Sequence, residues 1–291
     1  MVSRSAKFYG AAFASACATA LIACGSAAAA GGVASVAKLV PASVKSAGTL
    51  SVAADASYAP DEFTSGGKVV GMDVDLANAL GKAMGLKVTV ANVTFDDIIP
   101  GMAAGKYLLG ASSFTDTKER EKTVNFVDYA NVGESFYTKT QGGTSIKGID
   151  NICGLTVAVE TGTVEQNAAQ AQSKKCTTAG KKAVTVTSFP DQNQANLAVS
   201  SGRAQLGFAD TPVAAYQVKQ SKGAFKMVGA SYAAAPYGLA VPKSAGSLDK
   251  AVKAALLYLM KNGTYQKIFA KWGVSSIAIK PSQVKIDGAS S

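Results

Sequence analysis

The sequence has no histidine among its 291 residues. Histidine is the commonest general base and metal ligand near neutral pH, so its absence favours recognition over catalysis. The chain also lacks a glycine-rich loop followed by Lys-Ser or Lys-Thr, which excludes a phosphate-binding loop of the ATPase type. Of its four cysteines, the two beyond the N-terminal region supply too few metal ligands without histidine neighbours. We therefore expect neither a metal nor a cofactor.

The N-terminus has the pattern of an export signal. Arg4 and Lys7 precede the apolar run FYGAAFASACATALIA, which is too short for a typical membrane span. Cys24 lies in LIACGS, which resembles the lipobox of bacterial lipoproteins, where the cysteine becomes the lipid-bearing N-terminus. We expect residues 1–23 to be a lipoprotein signal peptide, Cys24 to be the membrane anchor and residues 24–47 to be a flexible tether. The alternative is an ordinary secretory signal that is cut nearer SAAAA.

Export also sets the expected state of the remaining cysteines. Cys153 and Cys176 are left as an even pair in an oxidising environment, so we expect a disulfide between them. The chain-entropy model assigns such a bridge roughly 3 kcal/mol of stability.

The chain is basic, with a formal net charge of +10. This charge is compatible with nucleic-acid binding, but the lysines are scattered along the sequence and are not grouped on one predicted face. We therefore expect no nucleic-acid partner, and we interpret the basic surface as one that faces anionic lipid or cell wall.

Strand and helix patterns alternate from about Thr49 to Ser275, which predicts an α/β fold with mainly parallel sheets. GKYLLGASS and GRAQLGFAD share a glycine, a basic residue and a Leu-Gly pair at the same spacing, which favours two similar lobes. A chance match is the alternative, since this is a common helix-to-strand transition. In two such lobes, Ser113 and Asp210 follow the carboxyl ends of equivalent strands, where open α/β sheets bind ligands.

Five stretches carry a family resemblance: GTLSVAADASYAPDEF, GKVVGMDVDLANAL, GASSFTDTKER, TVAVETGTVEQ and GRAQLGFADTPVAAY. In this order they resemble the bacterial extracellular solute-binding proteins of family 3, the amino-acid receptors of ABC importers. The resemblance covers residues 48–275 and implies a two-lobed, type II periplasmic-binding-protein-like fold with two crossover segments. It places lobe 1 at residues 48–138 with 238–280, lobe 2 at 139–237 and a C-terminal tail at 281–291. The crossovers are expected near Tyr137–Gly142 and Ala235–Gly238.

A free amino acid is a zwitterion, so its site needs a cation for the carboxylate and an anion for the ammonium. Arg120 can hold a carboxylate with two parallel hydrogen bonds, and Asp210 can take the ammonium. Hydroxyls and backbone N–H groups from an extended segment and from a helix start would complete the carboxylate clamp, and the resemblance places an aromatic ring over the ligand. The predicted ligand-binding residues are Tyr58, Ser113, Thr115, Arg120, Gly162, Thr163 and Asp210.

Each of these residues also has a plainer interpretation. Arg120 could be a solvated helix residue paired with Glu119 or Glu121, and Asp210 could be an N-cap. Tyr58 could be loop packing, and Thr163 could simply start a helix. Other acidic residues near the motifs receive different assignments: Asp73 and Asp75 are interpreted as capping and surface residues, whereas the roles of Asp61 and Glu160 stay open.

The predicted function is the extracytoplasmic substrate-binding component of an ABC importer, a monomer that captures a free polar or basic amino acid by lobe closure. One alternative is an exported enzyme on the same fold, of the dehydratase or lytic transglycosylase type. Its catalytic acid would have to be Glu62, Glu134 or Glu160, and no second catalytic group is evident beside any of them. A ligand-sensing receptor is the other alternative.

Overall fold

The structure is a computed structural model that describes residues 32–289. The predicted signal peptide and the lipidation residue Cys24 lie outside the described residues. The helices are α1 Ala34–Ala37, α2 Ala42–Ala47, α3 Met72–Met84, α4 Phe95–Ala103, α5 Val164–Thr178, α6 Gln192–Ser200, α7 Thr211–Gln220, α8 Leu248–Lys261 and α9 Thr264–Lys271. The strands are β1 Thr49–Ala54, β2 Ser57–Tyr58, β3 Glu62–Ser65, β4 Lys68–Val70, β5 Lys87–Asn92, β6 Leu109–Gly110, β7 Val124–Lys139, β8 Thr156–Glu160, β9 Thr185–Phe189, β10 Leu206–Asp210 and β11 Phe225–Pro242.

Two parallel groups of strands meet through two long antiparallel strands. The sheet order is β5-β1-β6-β11-β7-β10-β8-β9, with β5, β1 and β6 parallel on one side and β10, β8 and β9 parallel on the other. Strands β7 and β11 pair with each other along most of their length and belong to both sides. Helices flank each group, and β2, β3 and β4 form a small separate sheet. No helix within the described part of the chain is long and apolar enough to cross a membrane.

Each side has its own apolar core, which makes the protein two-lobed. Lobe 1 buries side chains from β1, α3, α8 and α9 around Leu76 and Leu256. Lobe 2 buries Phe136 against Phe208, with ring centroids 3.9 Å apart, in a core shared with residues of β8 and α5. Cys153 and Cys176 form the predicted disulfide on this lobe, with Cα atoms 5.6 Å apart.

Residues 34–47 do not form the predicted flexible tether. Val36, Val40 and Val44 are spaced four residues apart and are all buried in the lobe 1 core. Through these side chains, α1 packs onto α3 and α8, and α2 packs onto β1. Gly48 ends α2 in the left-handed conformation, with φ of 67°, and directs the chain into β1.

The first crossover lies earlier than Tyr137–Gly142. Strand β7 pairs with the last residues of β11 up to Ala130, and it pairs with β10 from Glu134 to Tyr137. Tyr137 is therefore already inside lobe 2, where its side chain is fully buried. The sequence misleads here because the strand pattern runs through the crossover without a break. On β11, the register is irregular between Val228 and Gly238, a stretch that includes the expected second crossover.

The C-terminal segment packs against the first crossover strand. Ile286 forms an antiparallel bridge with Val127, and the backbone N–H of Asp128 donates to the carbonyl of Lys285 at 3.1 Å. Val284 and Ala289 are buried. The described residues of the predicted tail thus belong to lobe 1 and cover the strand on which the lobes turn.

Candidate functional site

The predicted site residues come together between the two lobes. One cavity is lined by Tyr58, Ser113, Thr115 and Arg120 from lobe 1 and by Thr163 and Asp210 from lobe 2. Gly162 adjoins it through its backbone carbonyl. The space left between the side chains is about large enough for one water molecule, so the lobes are closed and a solute enters only when they separate.

Arg120 spans the boundary between the lobes. Its Nη1 donates to the carbonyl of Thr115 at 2.8 Å, and its Nη2 donates to the carbonyl of Gly162 in lobe 2 at 2.9 Å. The guanidinium carbon lies 5.3 Å from the ring centroids of both Phe95 and Phe114. Burial lowers the pKa of Arg120 to about 10, which leaves the group charged at neutral pH.

The alternative ion pairs of Arg120 do not form. Glu119 pairs with Lys122, and Glu121 pairs with Lys118 at 2.8 Å. The alternative in which Arg120 pairs with Glu119 or Glu121 is therefore not observed, and its guanidinium donates to two backbone carbonyls instead.

Asp210 meets Tyr58 across the cleft. The Tyr58 hydroxyl donates to Oδ2 of Asp210 at 2.9 Å, and the backbone N–H of Asp210 donates to the same hydroxyl oxygen at 3.1 Å. Asp210 occupies the N-cap position of α7, but its side chain makes no capping hydrogen bond. Burial raises the pKa of Asp210 to about 6, and hydrogen bonding and the charge of Arg120 oppose that shift. Tyr58 packs with apolar residues of lobe 2, so it joins the lobes by both apolar contact and hydrogen bonding.

Ser113 and Thr115 are not on one extended segment as predicted. Ser113 has a positive φ of 50°, a conformation that few residues other than glycine adopt. Its backbone N–H donates to Oδ2 of Asp73 at 2.8 Å, and its hydroxyl lies within hydrogen-bonding distance of Asp61 and Glu62. These contacts with carboxylates fix the loop after β6 and the orientation of Ser113.

The prediction that Asp73 is a capping or surface residue is wrong. Asp73 is fully buried and accepts hydrogen bonds from Ser113 N and from the Tyr129 hydroxyl at 2.7 Å, so it neither caps α3 nor faces solvent. Its pKa is raised to about 6 by burial. Asp75 has a different environment, because it pairs with Lys271 at 2.6 Å and accepts from the indole N–H of Trp272.

Asp61 and Glu62 are also buried. Gly71 makes this possible, because a Cβ atom at this position would collide with the backbone carbonyl of Asp61, and its φ of 141° suits glycine. The close approach places both carboxylates behind Ser113, and Glu62 accepts a hydrogen bond from the hydroxyl of Ser112 at 3.0 Å. Of the two, only Glu62 reaches the cavity.

Thr163 starts α5 at the edge of the cavity. Its hydroxyl accepts from the backbone N–H of Gln166 at 3.2 Å, which is an N-cap, and donates to the carbonyl of Glu160 at 2.8 Å. The capping interpretation and the position at the site are therefore compatible. The N-terminal end of α5, with its partial positive charge, is directed at the cavity.

The cavity is strongly acidic. Five carboxylates line it, against one arginine among the described lining residues. Burial is the main cause that raises the pKa of Glu160 and of Glu165, and nearby carboxylates raise both further. The five carboxylates are Asp55, Glu62, Glu160, Glu165 and Asp210.

Sequence reasoning missed Asp55 and left Glu160 open, although one signal identifies both. Asp55 directly follows β1 and Glu160 ends β8, just as Asp210 ends β10. The rule that ligands bind beyond the carboxyl ends of parallel strands applies to every such strand, and not only to the two that carry the repeat. Glu165 is different, because its place in the first turn of α5 becomes a site position only once the lobes close.

The fold and the site define a class of two-lobed solute-binding proteins, and comparison with known proteins agrees. The model of the bacterial extracellular solute-binding proteins, family 3, matches residues 50–275, and this chain belongs to that family. The arginine-binding protein ArgT of Corynebacterium glutamicum is 36% identical over 238 residues, which are 81% of this chain and 78% of that protein.

Solved structures show the same architecture. An ancestral arginine-binding protein bound to arginine is 36% identical, with a TM-score of 0.71 over 77% of this chain and 98% of that one. The ancestral amino acid-binding protein AncCDT-1, a precursor of cyclohexadienyl dehydratase, is 33% identical, with a TM-score of 0.71 over 79% and 97% of the two chains. The predicted family, the type II fold and the solute-binding function are confirmed.

Proposed function

We propose that this solute-binding protein captures a cationic amino acid, with arginine as the leading candidate, and presents it to the membrane subunits of an ABC importer. The observation that carries the cationic assignment is the surplus of carboxylates in the cleft, five against one arginine among the described residues that line it. A ligand that brings a positive side chain reduces their mutual repulsion, whereas an acidic ligand increases it. The arginine-binding relatives give independent support.

The α-groups of the ligand have partners on both lobes in this proposal. Arg120 and the loop residues Ser113 and Thr115 bind the α-carboxylate together with the Gly162–Thr163 turn, and Asp210 binds the α-ammonium. Two interlobe hydrogen bonds of the closed state, Arg120 to Gly162 and Tyr58 to Asp210, involve these same residues. The ligand thus binds the closed arrangement better than the open one and shifts the equilibrium towards it.

Closure has a further contact outside the predicted site. The backbone N–H of Gln192, at the start of α6, donates to the hydroxyl of Ser57 at 3.1 Å. Phe63 of lobe 1 lies with its ring centroid 6.2 Å from Tyr216 of lobe 2 and 5.8 Å from Trp272. Because Trp272 is the single tryptophan of the chain, its fluorescence is a reporter for lobe closure.

The role we propose is binding without turnover. A buried carboxyl group with a raised pKa, such as Glu160, would meet one requirement of a general acid, which keeps the dehydratase-type alternative testable. The discriminating observation is the fate of the ligand: NMR of arginine after prolonged incubation with the protein should show it unchanged. A new product that requires the folded protein would favour an enzyme.

The proposal includes a lipid anchor on Cys24 at the outer face of the cytoplasmic membrane and a monomeric protein. It rests on the LIACGS sequence and on the extracellular character of the family. Intact-mass measurement of the membrane-extracted protein should show a diacylglyceryl modification, and Cys24→Ala should release the protein from membranes. Recovery of an unmodified chain that begins near SAAAA would contradict the anchor.

A thermal-shift screen against free amino acids tests the assignment of ligand class. A ligand at 100 times its dissociation constant adds about 2.7 kcal/mol of stability, so a true ligand gives a clear shift. We expect the largest shift from arginine, a smaller one from lysine or ornithine, and none from glutamate or aspartate. A largest shift from an acidic amino acid would overturn the proposal.

A further inference from the structure

One disulfide closes the strand–turn–helix unit that carries part of the lobe 2 side of the site. Cys153 lies just before β8 and Cys176 lies near the end of α5, so the bridge joins the start of this unit to its end. The turn between strand and helix, Gly162–Thr163, lies at the opposite end, beside the cavity. Because an α-helix rises about 1.5 Å per residue, the bridge lies about 20 Å from the turn.

The turn and the first residues of α5 belong to the site. The carbonyl of Gly162 accepts a hydrogen bond from Nη2 of Arg120 at 2.9 Å. Thr163, Val164 and Glu165 line the cavity. Their position beside Arg120 depends on the orientation of α5, because a tilt of the helix would carry all of them away together.

The face of α5 that packs against lobe 2 has few apolar side chains. Its buried residues form one stripe along the helix, Glu165, Ala169, Gln172 and Cys176. Two of these are polar, and Oε1 of Glu165 and Oε1 of Gln172 are buried without a hydrogen-bond partner among the described residues. A buried polar atom without a partner costs free energy, so this face contributes little to holding the helix in place.

Hydrogen bonding and the disulfide tie α5 to the rest of lobe 2 in its C-terminal half. The hydroxyl of Ser173 donates to the carbonyl of Val184 at 3.0 Å and accepts from the N–H of the same residue at 3.0 Å. The hydrogen bonds of the Thr163 hydroxyl, in contrast, stay within the turn. The end of α5 that carries the covalent tie is thus the one far from the ligand.

We propose that the disulfide between Cys153 and Cys176 preorganises the ligand site, because it holds α5 in the orientation in which the Gly162–Thr163 turn meets the α-carboxylate of the ligand. This inference rests on the proposed function and assigns part of the affinity to a bridge that does not touch the ligand. A constraint that fixes a binding segment beforehand removes the cost of ordering that segment on binding. The two cysteines are therefore positioning residues of the carboxylate clamp.

The first test is the affinity of the double variant Cys153→Ala/Cys176→Ala, in which neither thiol is left free. Titration calorimetry at pH 7 should show arginine bound about 5- to 10-fold more weakly than by the wild-type protein. Lysine and ornithine should lose the same factor, because the turn binds the α-carboxylate that all three amino acids share. A loss confined to one of these ligands would place the effect in the side-chain part of the site and overturn the proposal.

Hydrogen exchange gives a readout that a purely stabilising bridge would not change. Without ligand, the backbone amides of residues 162–166 should exchange about 5- to 10-fold faster in the double variant than in the wild-type protein. Saturating arginine should abolish this difference, since the ligand then orders the turn itself. Equal exchange of these amides in the two unliganded proteins would contradict the proposal.

Two further variants separate positioning from stability. Val44→Ala is the matched control, because Val44 is buried in the lobe 1 core. It should lower the melting temperature and leave the arginine affinity and the exchange of the turn unchanged. Ser173→Ala removes the hydrogen bonds with Val184 and keeps the disulfide. It should weaken arginine binding about twofold, because it loosens the same end of α5.

The outcomes separate this inference from the proposed function. If arginine binds the wild-type protein tightly and the double variant equally well, the disulfide only stabilises lobe 2, and the proposed function stands. If the double variant fails to fold, Ser173→Ala decides, and wild-type affinity in that variant overturns the positioning role. If no basic amino acid binds the wild-type protein, the proposed function fails, and this inference fails with it.

Discussion

The molecule contains two groups of buried or half-buried carboxylates, one beside the C-terminal segment and one in the cleft, and it neutralises them differently. The hinge cluster consists of Asp116, Glu121 and Asp128, beside the first crossover strand. The cleft cluster consists of the five carboxylates that line the cavity, Asp55, Glu62, Glu160, Glu165 and Asp210. Both clusters contain buried oxygens without a hydrogen-bond partner among the described residues.

The hinge cluster is covered by the chain itself. The backbone N–H groups of Gly288 and Ala289 donate to Oδ2 of Asp116 at 2.8 and 3.1 Å, and Ala289 also donates to Glu121 at 3.2 Å. Burial and Asp116 raise the pKa of Asp128, and the charge of Lys285 offsets part of this rise. The C-terminal segment therefore supplies permanent donors and a permanent cation.

The cleft cluster has some donors of its own, but only one cation, Arg120, for five carboxylates among the described residues that line the cavity, and it faces the space between the lobes. The comparison shows that buried carboxylates favour the binding of a cationic ligand when the protein itself does not supply their counter-ion. Substitutions at the cleft should therefore change ligand binding, whereas changes to the hinge cluster should change only stability.

The largest effect is expected at Arg120. Arg120→Ala should weaken arginine binding at least about 100-fold, because removing one member of a buried charged arrangement costs about 3–5 kcal/mol. Asp210→Asn should have an effect of the same order. Calorimetric titration measures both. Arg120→Lys keeps the charge but not the planar fork, so it should recover only part of the affinity. Wild-type affinity in Arg120→Ala would contradict the site.

Removal of the hinge cover should lower stability without abolishing binding. A chain that ends at Val284 loses the donors to Asp116 and Glu121, and we expect the free energy of unfolding to fall by about 2–3 kcal/mol. Denaturant unfolding measures this loss. Arginine should still raise the melting temperature of the truncated protein, and a complete loss of that response would place the C-terminal segment in the ligand site.

The hinge cluster also predicts that the stability of the folded protein depends on pH. Burial and Asp116 raise the pKa of Asp128 to about 8, while the unfolded chain has an ordinary value near 4. Between these values the folded protein holds a proton that the unfolded chain releases, so stability falls as pH rises through this window. We expect the melting temperature to fall by about 5 °C from pH 5 to pH 8, and Asp128→Asn should flatten this slope. A melting temperature that rises over this range would contradict the assignment.

The smallest effect is expected at Tyr58. Tyr58→Phe removes the hydroxyl that bonds to Asp210 across the cleft but keeps the ring, so we expect about a fivefold loss of arginine affinity, close to 1 kcal/mol. Fluorescence of Trp272 during titration should show that the variant still closes. An effect as large as that of Arg120→Ala would mean that Tyr58 does more than bridge the lobes.

The difference between the clusters also shows what sequence can predict. The α/β architecture can be predicted from the regular alternation of strand and helix patterns, because apolar periodicity is a local property of the chain. Arg120 and Asp210 were predicted because they lie in ordered motifs next to strand ends. Asp73 was misassigned, since a residue in the first turn of a helix looks like a cap until a distant loop, here Ser113, is packed against it.

Other features depended on contacts that no local pattern contains. The burial of Val36, Val40 and Val44 depends on the surface of lobe 1, so their segment looked like a tether beside an alanine-rich stretch. Asp55 and Glu160 line the same cavity because the lobes meet there, and these residues are more than one hundred positions apart in the chain.

The most direct test of the central claim is a calorimetric titration of the wild-type protein with arginine and with glutamate at pH 7. An acidic cleft that closes on an external cation should bind arginine with a dissociation constant of about 1 µM, near −8 kcal/mol, and should show no measurable binding of glutamate. Equal or tighter binding of glutamate would contradict the account, because the cleft carboxylates would then need no counter-ion from the ligand.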